Sequence, residues 1–340
     1  MLIAMEWLLA SLLIAFGLVR AAIGYAHRQG MLDLPGRRRS HRLPTPRGGG
    51  IGIVVAMLIC MPGALWSLPA AWPVRLLSGL TIGLLLVALA GWCDDHRSLP
   101  VLPRLGIQLL AVAGFSWVLL AGGLPGWWLP LLLVGGVWSI NLHNFMDGID
   151  GLLSQQTMFV ATALALLAWQ FAQPALAVAA GCLTVATFGF WLFNRPPARI
   201  FMGDVGSGSI GMLIFAFSAM LWRLDHRLLW PALILSSAFV ADASLTLLTR
   251  IWRGRRWYTA HREHLYQWLV RSGSTHARVG AAYLAWNLLI AAPATWLACS
   301  HLEMALPITI VVYLMAAAGW LSLKHHCLRH HKHRDRHVVA

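Results

Sequence analysis

Three short segments hold the residue types that phosphate and metal chemistry needs. GWCDDHRS sets Asp94 and Asp95 side by side. NLHNFMDGIDGLLS crowds Asn141, His143, Asn144, Asp147 and Asp150 into one stretch, and RIFMGDVGSGSIG puts Asp204 ahead of Gly206, Ser207 and Gly208. Adjacent carboxylates repel and raise one another's pKa unless they share a cation. A divalent metal, a basic substrate group or an ion pair with Arg97 and Arg104 would supply it. A capping role does not account for the pair, because negative charge at a helix C-terminus opposes the helix dipole. In the third segment the glycines permit tight backbone, and free N–H groups at a helix start form a ready phosphate site. A carboxylate beside such a site can hold Mg²⁺ against phosphate oxygens. No GKS or GKT follows, so this is not a P-loop. Plainer readings stand beside these: Asp150 as the N-cap of the next helix, Asp204 as a cap, and the glycines as helix-packing positions.

Two basic segments supply the complement. GRRRSHRLPTPRGGG contains Arg38, Arg39 and His41, and WRGRRWYTAHREHLYQ contains Arg262 and His264. The guanidinium fork suits phosphate because it binds oxygens in pairs. Membrane topology by itself also makes such loops basic.

The elements that must position these residues are membrane helices. Of 340 residues, 59% are hydrophobic and only 11% are charged, against roughly 25% charged in a soluble domain. That argues against a disordered chain and against a soluble enzyme. A net charge of +14 would point to nucleic acid in a soluble protein, but the long apolar runs point to a membrane protein with basic loops. Eleven segments approach the roughly 20 apolar residues that a spanning helix needs: 5–24, 48–67, 75–92, 104–122, 125–143, 152–172, 174–193, 206–223, 228–249, 279–298 and 304–323. Spans six and seven are split only by Gln173 and Pro174.

With the N-terminus outside, almost every Lys and Arg falls on the inner side, where Asp94, Asp95, Asp147, Asp150 and Asp204 also lie. Only Arg75, Arg223 and Arg227 fall outside, and Arg20 lies near the inner end of span one. The positive-inside rule thus favours an outer N-terminus and a cytoplasmic C-terminus. The first span lacks a basic n-region and reads as an uncleaved anchor. The expected organisation is all-α: one transmembrane catalytic domain over residues 1–323 and a basic, His-rich tail over 324–340. The five cysteines show no CxxC spacing and read as inert thiols.

Together the motifs resemble the polyprenyl-phosphate N-acetylhexosamine-1-phosphate transferases, the family of MraY and WecA. DLPGRRRSHRLPTPRGGG is similar to that family's D-x-P…R…H…P-x-x-GG segment, and GWCDDHRS to its aspartate-rich motif. NLHNFMDGIDGL and NRPPARIFMGDVGS resemble its next two signatures, and Asp242 matches an acidic position in its ninth helix. The aspartate-rich motif departs from the family pattern at Ser98, so no third ligand carries over. Tyr266 stands where a second late-loop histidine is common. The late loop resembles the O-antigen-initiating, WbpL-like branch and not the muropeptide branch.

The resemblance implies transfer of a sugar 1-phosphate from a UDP-N-acetyl sugar to undecaprenyl phosphate, with release of UMP. The enzyme would lie in the bacterial inner membrane, with its site on the cytoplasmic face and a homodimer by analogy. Nucleic acid is not an expected partner. The cofactor implied is Mg²⁺, with Mn²⁺ as a substitute. Asp204 is the best metal ligand, with Asp95 a second candidate. Asp94 or Asp95 deprotonates or positions the lipid phosphate, or binds metal. Asn141, Asn144, Asp147 and Asp150 would line the nucleotide side, while Arg262 and His264 would meet the sugar or diphosphate. Arg38, Arg39, His41, Gly206 and Ser207 would contact phosphate. A UbiA-type prenyltransferase ranks lower because its D-x₃-D spacings are not met. A lipid or polysaccharide transporter ranks lower because ionisable groups mid-span are few. The sugar itself is not legible.

Overall fold

In hydrocarbon no water satisfies a backbone N–H or C=O, so an apolar chain crossing a membrane folds into helices that satisfy their own. The computed structural model describes residues 2–33, 44–121, 123–256, 259 and 261–339. It begins with α1 (Leu2–Gln29), a two-residue ladder of β1 (Leu32–Asp33) with β2 (Thr45–Pro46), α2 (Ile51–Ser67) and α3 (Val74–His96). There follow α4 (Val101–Leu120), α5 (Leu129–Phe145), α6 (Leu152–Gln170), α7 (Pro174–Asn194) and α8 (Asp204–Leu224). The last third holds α9 (Leu229–Leu235), α10 (Ser237–Trp252), α11 (Leu265–Arg271), α12 (His276–Trp286), α13 (Ala292–Ser300) and α14 (Ala305–Val339).

All eleven apolar segments fall on helices. Among the described residues eight helices are long and apolar enough to cross a membrane, or nine if one bent pair counts as a span. α2 and α5 have 17 residues each, about 26 Å at the helical rise, a little under the roughly 30 Å hydrocarbon core. α6 and α7 are two helices packed closely on each other, so the break at Gln173 and Pro174 is a true turn. Segment 228–249 departs from the expected straight span. It bends by 79° between α9 and α10, at Ser236. Asp242 therefore lies on the second limb, away from a continuous span.

α8 is the centre of the bundle. Nearly all of its residues are buried, and it packs chiefly on α3 and α5. Its first turn also meets the start of α2, where Gly50 lies so close to Gly206 that a Cβ there would run into the Gly206 backbone. Backbone pairing reinforces this contact. Phe201 donates to Pro46 O at 2.8 Å, while Gly49 and Gly50 donate to Phe201 O at 2.9 Å and Met202 O at 2.8 Å. The loop before α2 and the loop before α8 are thus one joined unit. That junction brings distant motifs to one end of the bundle.

Candidate active site

Asp95 organises the site. It sits at the end of α3 with no exposed side-chain surface, where an unpaired charge would be costly. Its Oδ1 accepts from Arg47 Nη2 at 2.8 Å, from Arg47 Nε at 3.2 Å and from the backbone N–H of Asp204 at 3.0 Å. Its Oδ2 accepts from the backbone N–H of Val205 at 3.1 Å. The carboxylate therefore caps α8 from another helix, placing negative charge at the positive end of the α8 dipole. Gly203 makes room for it. That residue has φ +77°, and a Cβ on it would lie 2.5 Å from Asp95 Oδ2.

Asp94 faces the other way. Its Oδ1 accepts from the backbone N–H of Leu99 at 2.6 Å, and its Oδ2 accepts from Arg104 Nη1 at 3.2 Å. The same Arg104 nitrogen donates to Asp204 Oδ2 at 3.3 Å. Asp94 and Asp204 thus converge on one cationic atom and lie within hydrogen-bonding reach of each other. Both remain partly open, with side chains 13% and 21% exposed. Beside them lies a small cavity of about 20 Å³ where Arg104, Gln108, Asn141, Asn144 and Asp204 meet the apolar Val87, Ala90 and Ile140, room for about one water.

The helix start expected to cradle phosphate is filled from within. Asp95 takes the N–H groups of Asp204 and Val205, and Gly203 O accepts from Gly206 and Ser207, each at 3.1 Å. Gly206 packs on Gly50, and the buried Ser207 hydroxyl accepts from Asn144 Nδ2 at 3.1 Å. Gly206 and Ser207 are corrected to packing positions, because helix α8 begins inside the bundle with its first-turn donors already satisfied. Arg38, Arg39 and His41 lie outside the described residues.

The middle motif divides. Asn141 donates to Gln108 Oε1 at 2.7 Å on the cavity wall. Asp150 does not cap α6. It accepts from Ala198 N at 3.1 Å and pairs with His276 at 3.2 Å, while Asn194 Oδ1 accepts from Gly151 N at 3.0 Å in its place. Asp147 lies closer to the centre. Burial, with the charges of Asp204 and Asp95 adding to it, pushes its carboxyl well above the usual range.

His264 lies immediately before α11 and is buried, its ring stacked with Phe145 at 6.0 Å and with Tyr266 at 5.8 Å. Tyr266 Oη donates to Phe145 O at 2.9 Å, joining this late loop to the end of α5. Arg262 lies two residues earlier, its carbonyl accepting from Arg271 at 3.4 Å.

Arg47, Arg104 and Gln108 belong to the site and were not singled out as site residues from the sequence. Arg104 and Gln108 carried a signal, four residues apart on one helix face. Arg47, directly before a run of three glycines, was legible only as loop charge.

Among the described residues no group of three or more His, Cys, Asp or Glu is arranged to hold a metal ion. Mg²⁺ commonly takes one or two carboxylates and completes its shell with water and substrate phosphates. Asp94 and Asp204, two all-oxygen donors converging on one cation, fit that mode. Asp95 does not, since all its short contacts are to Arg47 and to the α8 backbone.

A second, larger space lies further along the same helices. A cavity of about 250 Å³ runs between α5, α8, α9 and α10, lined by Leu131, Trp138, His143, Phe215, Trp222 and Leu233 among others.

Fold and site together define a polytopic, all-helical membrane protein with a carboxylate–arginine centre at one end of its bundle. The family model described as glycosyl transferase family 4 matches residues 77–222, which contain all five clustered aspartates. These residues and the relatives that follow are similar to the MraY/WecA-like family of polyprenyl-phosphate hexosamine-1-phosphate transferases and support that reading of the chain. It is 32% identical over 241 residues to a phospho-N-acetylmuramoyl-pentapeptide-transferase of Synechococcus sp. (strain RCC307), covering 61% of this chain and 62% of that one. Proteins of the same name from Streptococcus pyogenes serotype M6 and Levilactobacillus brevis are 28% and 29% identical. Those matches cover 59% and 60% of this chain, and 65% and 68% of theirs. The chain thus spans just under two thirds of the length of the first two relatives.

Proposed function

We propose that the protein transfers a sugar 1-phosphate from a UDP-N-acetyl sugar to undecaprenyl phosphate. An oxygen of the lipid phosphate forms a bond to the phosphorus that carries the sugar. The bond from that phosphorus to the bridging oxygen breaks, and UMP leaves with the bridging oxygen. The observation that carries this reading is the convergence of Asp94 and Asp204 on one cationic position at the start of α8; an apolar cavity further along α5 and α8 is of a kind suited to isoprene units.

Mg²⁺, held by Asp94 and Asp204, would offset the charge of the diphosphate and of the leaving UMP. The protein's own groups do the remainder. Arg104 and Arg47 bring positive charge to the same place. Asn141 and Asn144 offer amides from the cavity wall. Asp147, its carboxyl pushed up by burial and by the charges of Asp204 and Asp95, repels a phosphate or nucleotide oxygen less than a free carboxylate would. The acceptor needs no strong base, because a phosphate monoester is already largely ionised near pH 7, its second pKa being about 6. Positioning the two phosphates in line is the main task. The orientation that the basic loops favour puts this site on the cytoplasmic face of a bacterial inner membrane.

The relatives' printed name makes the muramoyl-pentapeptide donor the first comparison. The late loop HREHLYQ favours instead the branch that initiates O-antigen and related polysaccharides, with a deoxy-N-acetylhexosamine as the donor of choice. The test is exchange and transfer with purified protein. Labelled UMP should enter the UDP-sugar pool only with Mg²⁺ or Mn²⁺ and undecaprenyl phosphate present. A panel of UDP-N-acetyl sugars and the muropeptide donor then assigns the sugar. No transfer from any donor would overturn the reading.

A further inference from the structure

We propose that Arg47 is a positioning residue of this site: by clamping Asp95 it fixes the first turn of α8, and with it the place of Asp204 opposite Asp94. Four observations support it. Arg47 donates from two nitrogens to one Asp95 oxygen, at 2.8 and 3.2 Å, a grip that a single ammonium would not reproduce. Asp95 in turn accepts from the first two N–H groups of α8. Arg47 is also registered to that helix by backbone. Its neighbours Pro46 and Gly49 pair with Phe201, three residues before Asp204. Finally, Arg47 Nη2 lies 3.9 Å from Asp204 Oδ1, beyond hydrogen-bond reach. Its hydrogen-bonded link to Asp204 therefore runs through Asp95, beside a direct but longer ion-pair contact.

The same arrangement gives Asp95 a role different from that of its neighbour. The buried Asp95, with its half-buried partner Arg47, forms the frame. Asp94 and Asp204 form the open pair. An alternative reading has Arg47, 34% exposed, bind substrate phosphate directly, and the test separates the two.

The kinetic arm rests on the transferase reading; the other arms do not. Purified wild-type protein, R47Q, R47K, D95N and the R47Q/D95N double variant are compared in detergent. Amide exchange over residues 201–206 reads the first turn of α8 without ligand. Mn²⁺ titration by electron paramagnetic resonance reads the open pair. R47Q should speed exchange at Asp204 and Val205 by about tenfold and weaken Mn²⁺ binding. It should lower kcat while leaving KM for the nucleotide sugar within about twofold. R47K should recover part of each loss. In the D95N background R47Q should add less than about twofold, because the path through Asp95 is already cut. Fully additive effects, or a rise in KM alone, would overturn the proposal in favour of direct phosphate binding. Unchanged exchange and Mn²⁺ affinity in R47Q would overturn it outright. If R47Q does not fold, R47K and D95N are read against the same criteria. Absence of transfer by the wild type defeats the transferase reading, while exchange and Mn²⁺ binding still decide the role of Arg47.

Discussion

The backbone N–H of Leu265 donates to the carboxylate of Asp242 at 2.7 Å, fastening the start of α11 to the middle of α10. The same buried carboxylate also accepts from Tyr266 N, Thr246 Oγ1, Tyr283 Oη and Trp320 Nε1, at 2.7 to 3.3 Å. Asp242 is thus a post on which the loop carrying Arg262 and His264 hangs, with α12 and α14 attached to it.

Asp242→Ala should therefore cost stability before it costs chemistry. Removing a buried acceptor that satisfies several donors costs about 3–5 kcal/mol. The expected outcome is a marked fall in melting temperature in detergent and looser protection of the late loop from proteolysis. An unchanged melting temperature would remove Asp242 from this structural role.

Asp204→Ala should abolish sugar-phosphate transfer, by about a thousandfold or more, while the protein still inserts and melts cooperatively. Asp94→Asn should behave alike, because the two carboxylates share one cationic position. Near-normal turnover in the Asp204 variant would take it out of the metal site.

Gly50→Ala should be damaging, since its Cβ has no room against the Gly206 backbone. Gly24→Ala on α1 is the matched control, with nothing within 4 Å of the added atom. The assay is folded yield and melting temperature. Equal behaviour of the two would contradict the close approach of α2 and α8.

The loop histidines set a pH dependence with a definite sign. Burial, helped by the neighbouring His264 and Arg250, lowers His261 from 6.5 to about 4, and burial lowers His264 as well. The unfolded chain takes up these protons first as pH drops. Stability should accordingly decline as pH falls from 6.5 towards 4, with the full contribution kept above 6.5. His261→Asn should flatten that decline in melting curves taken between pH 7.5 and 5. The same slope in the variant would exclude His261 as a source.

Much of this was legible in the residues. The eleven apolar runs gave helices, because in lipid nothing else satisfies the backbone. The scarcity of acids in an apolar chain made the positions of Asp94, Asp95, Asp147, Asp150 and Asp204 informative. The break at Gln173 and Pro174 was visible too, since proline begins a helix easily but cannot continue one. The bend at Ser236 was not visible. No Gly or Pro marks Ser236, and Asp242 on the second limb is held by contacts from residues 265, 266, 283 and 320, far along the chain.

What the sequence determined by itself is the set of groups available: carboxylates, amides and arginines of the types that phosphate and metal chemistry uses, gathered at helix ends of a membrane protein. Which carboxylate does what was decided only by the tertiary structure. Asp94 and Asp95 are adjacent in the chain and alike in type, yet consecutive positions on a helix point about 100° apart. One side chain turns inward to the start of α8 and to Arg47, the other outward to Arg104 and Asp204. Direction around a helix has meaning only once its neighbours are in place, and here those neighbours come from 48 residues upstream and 109 residues downstream of Asp95.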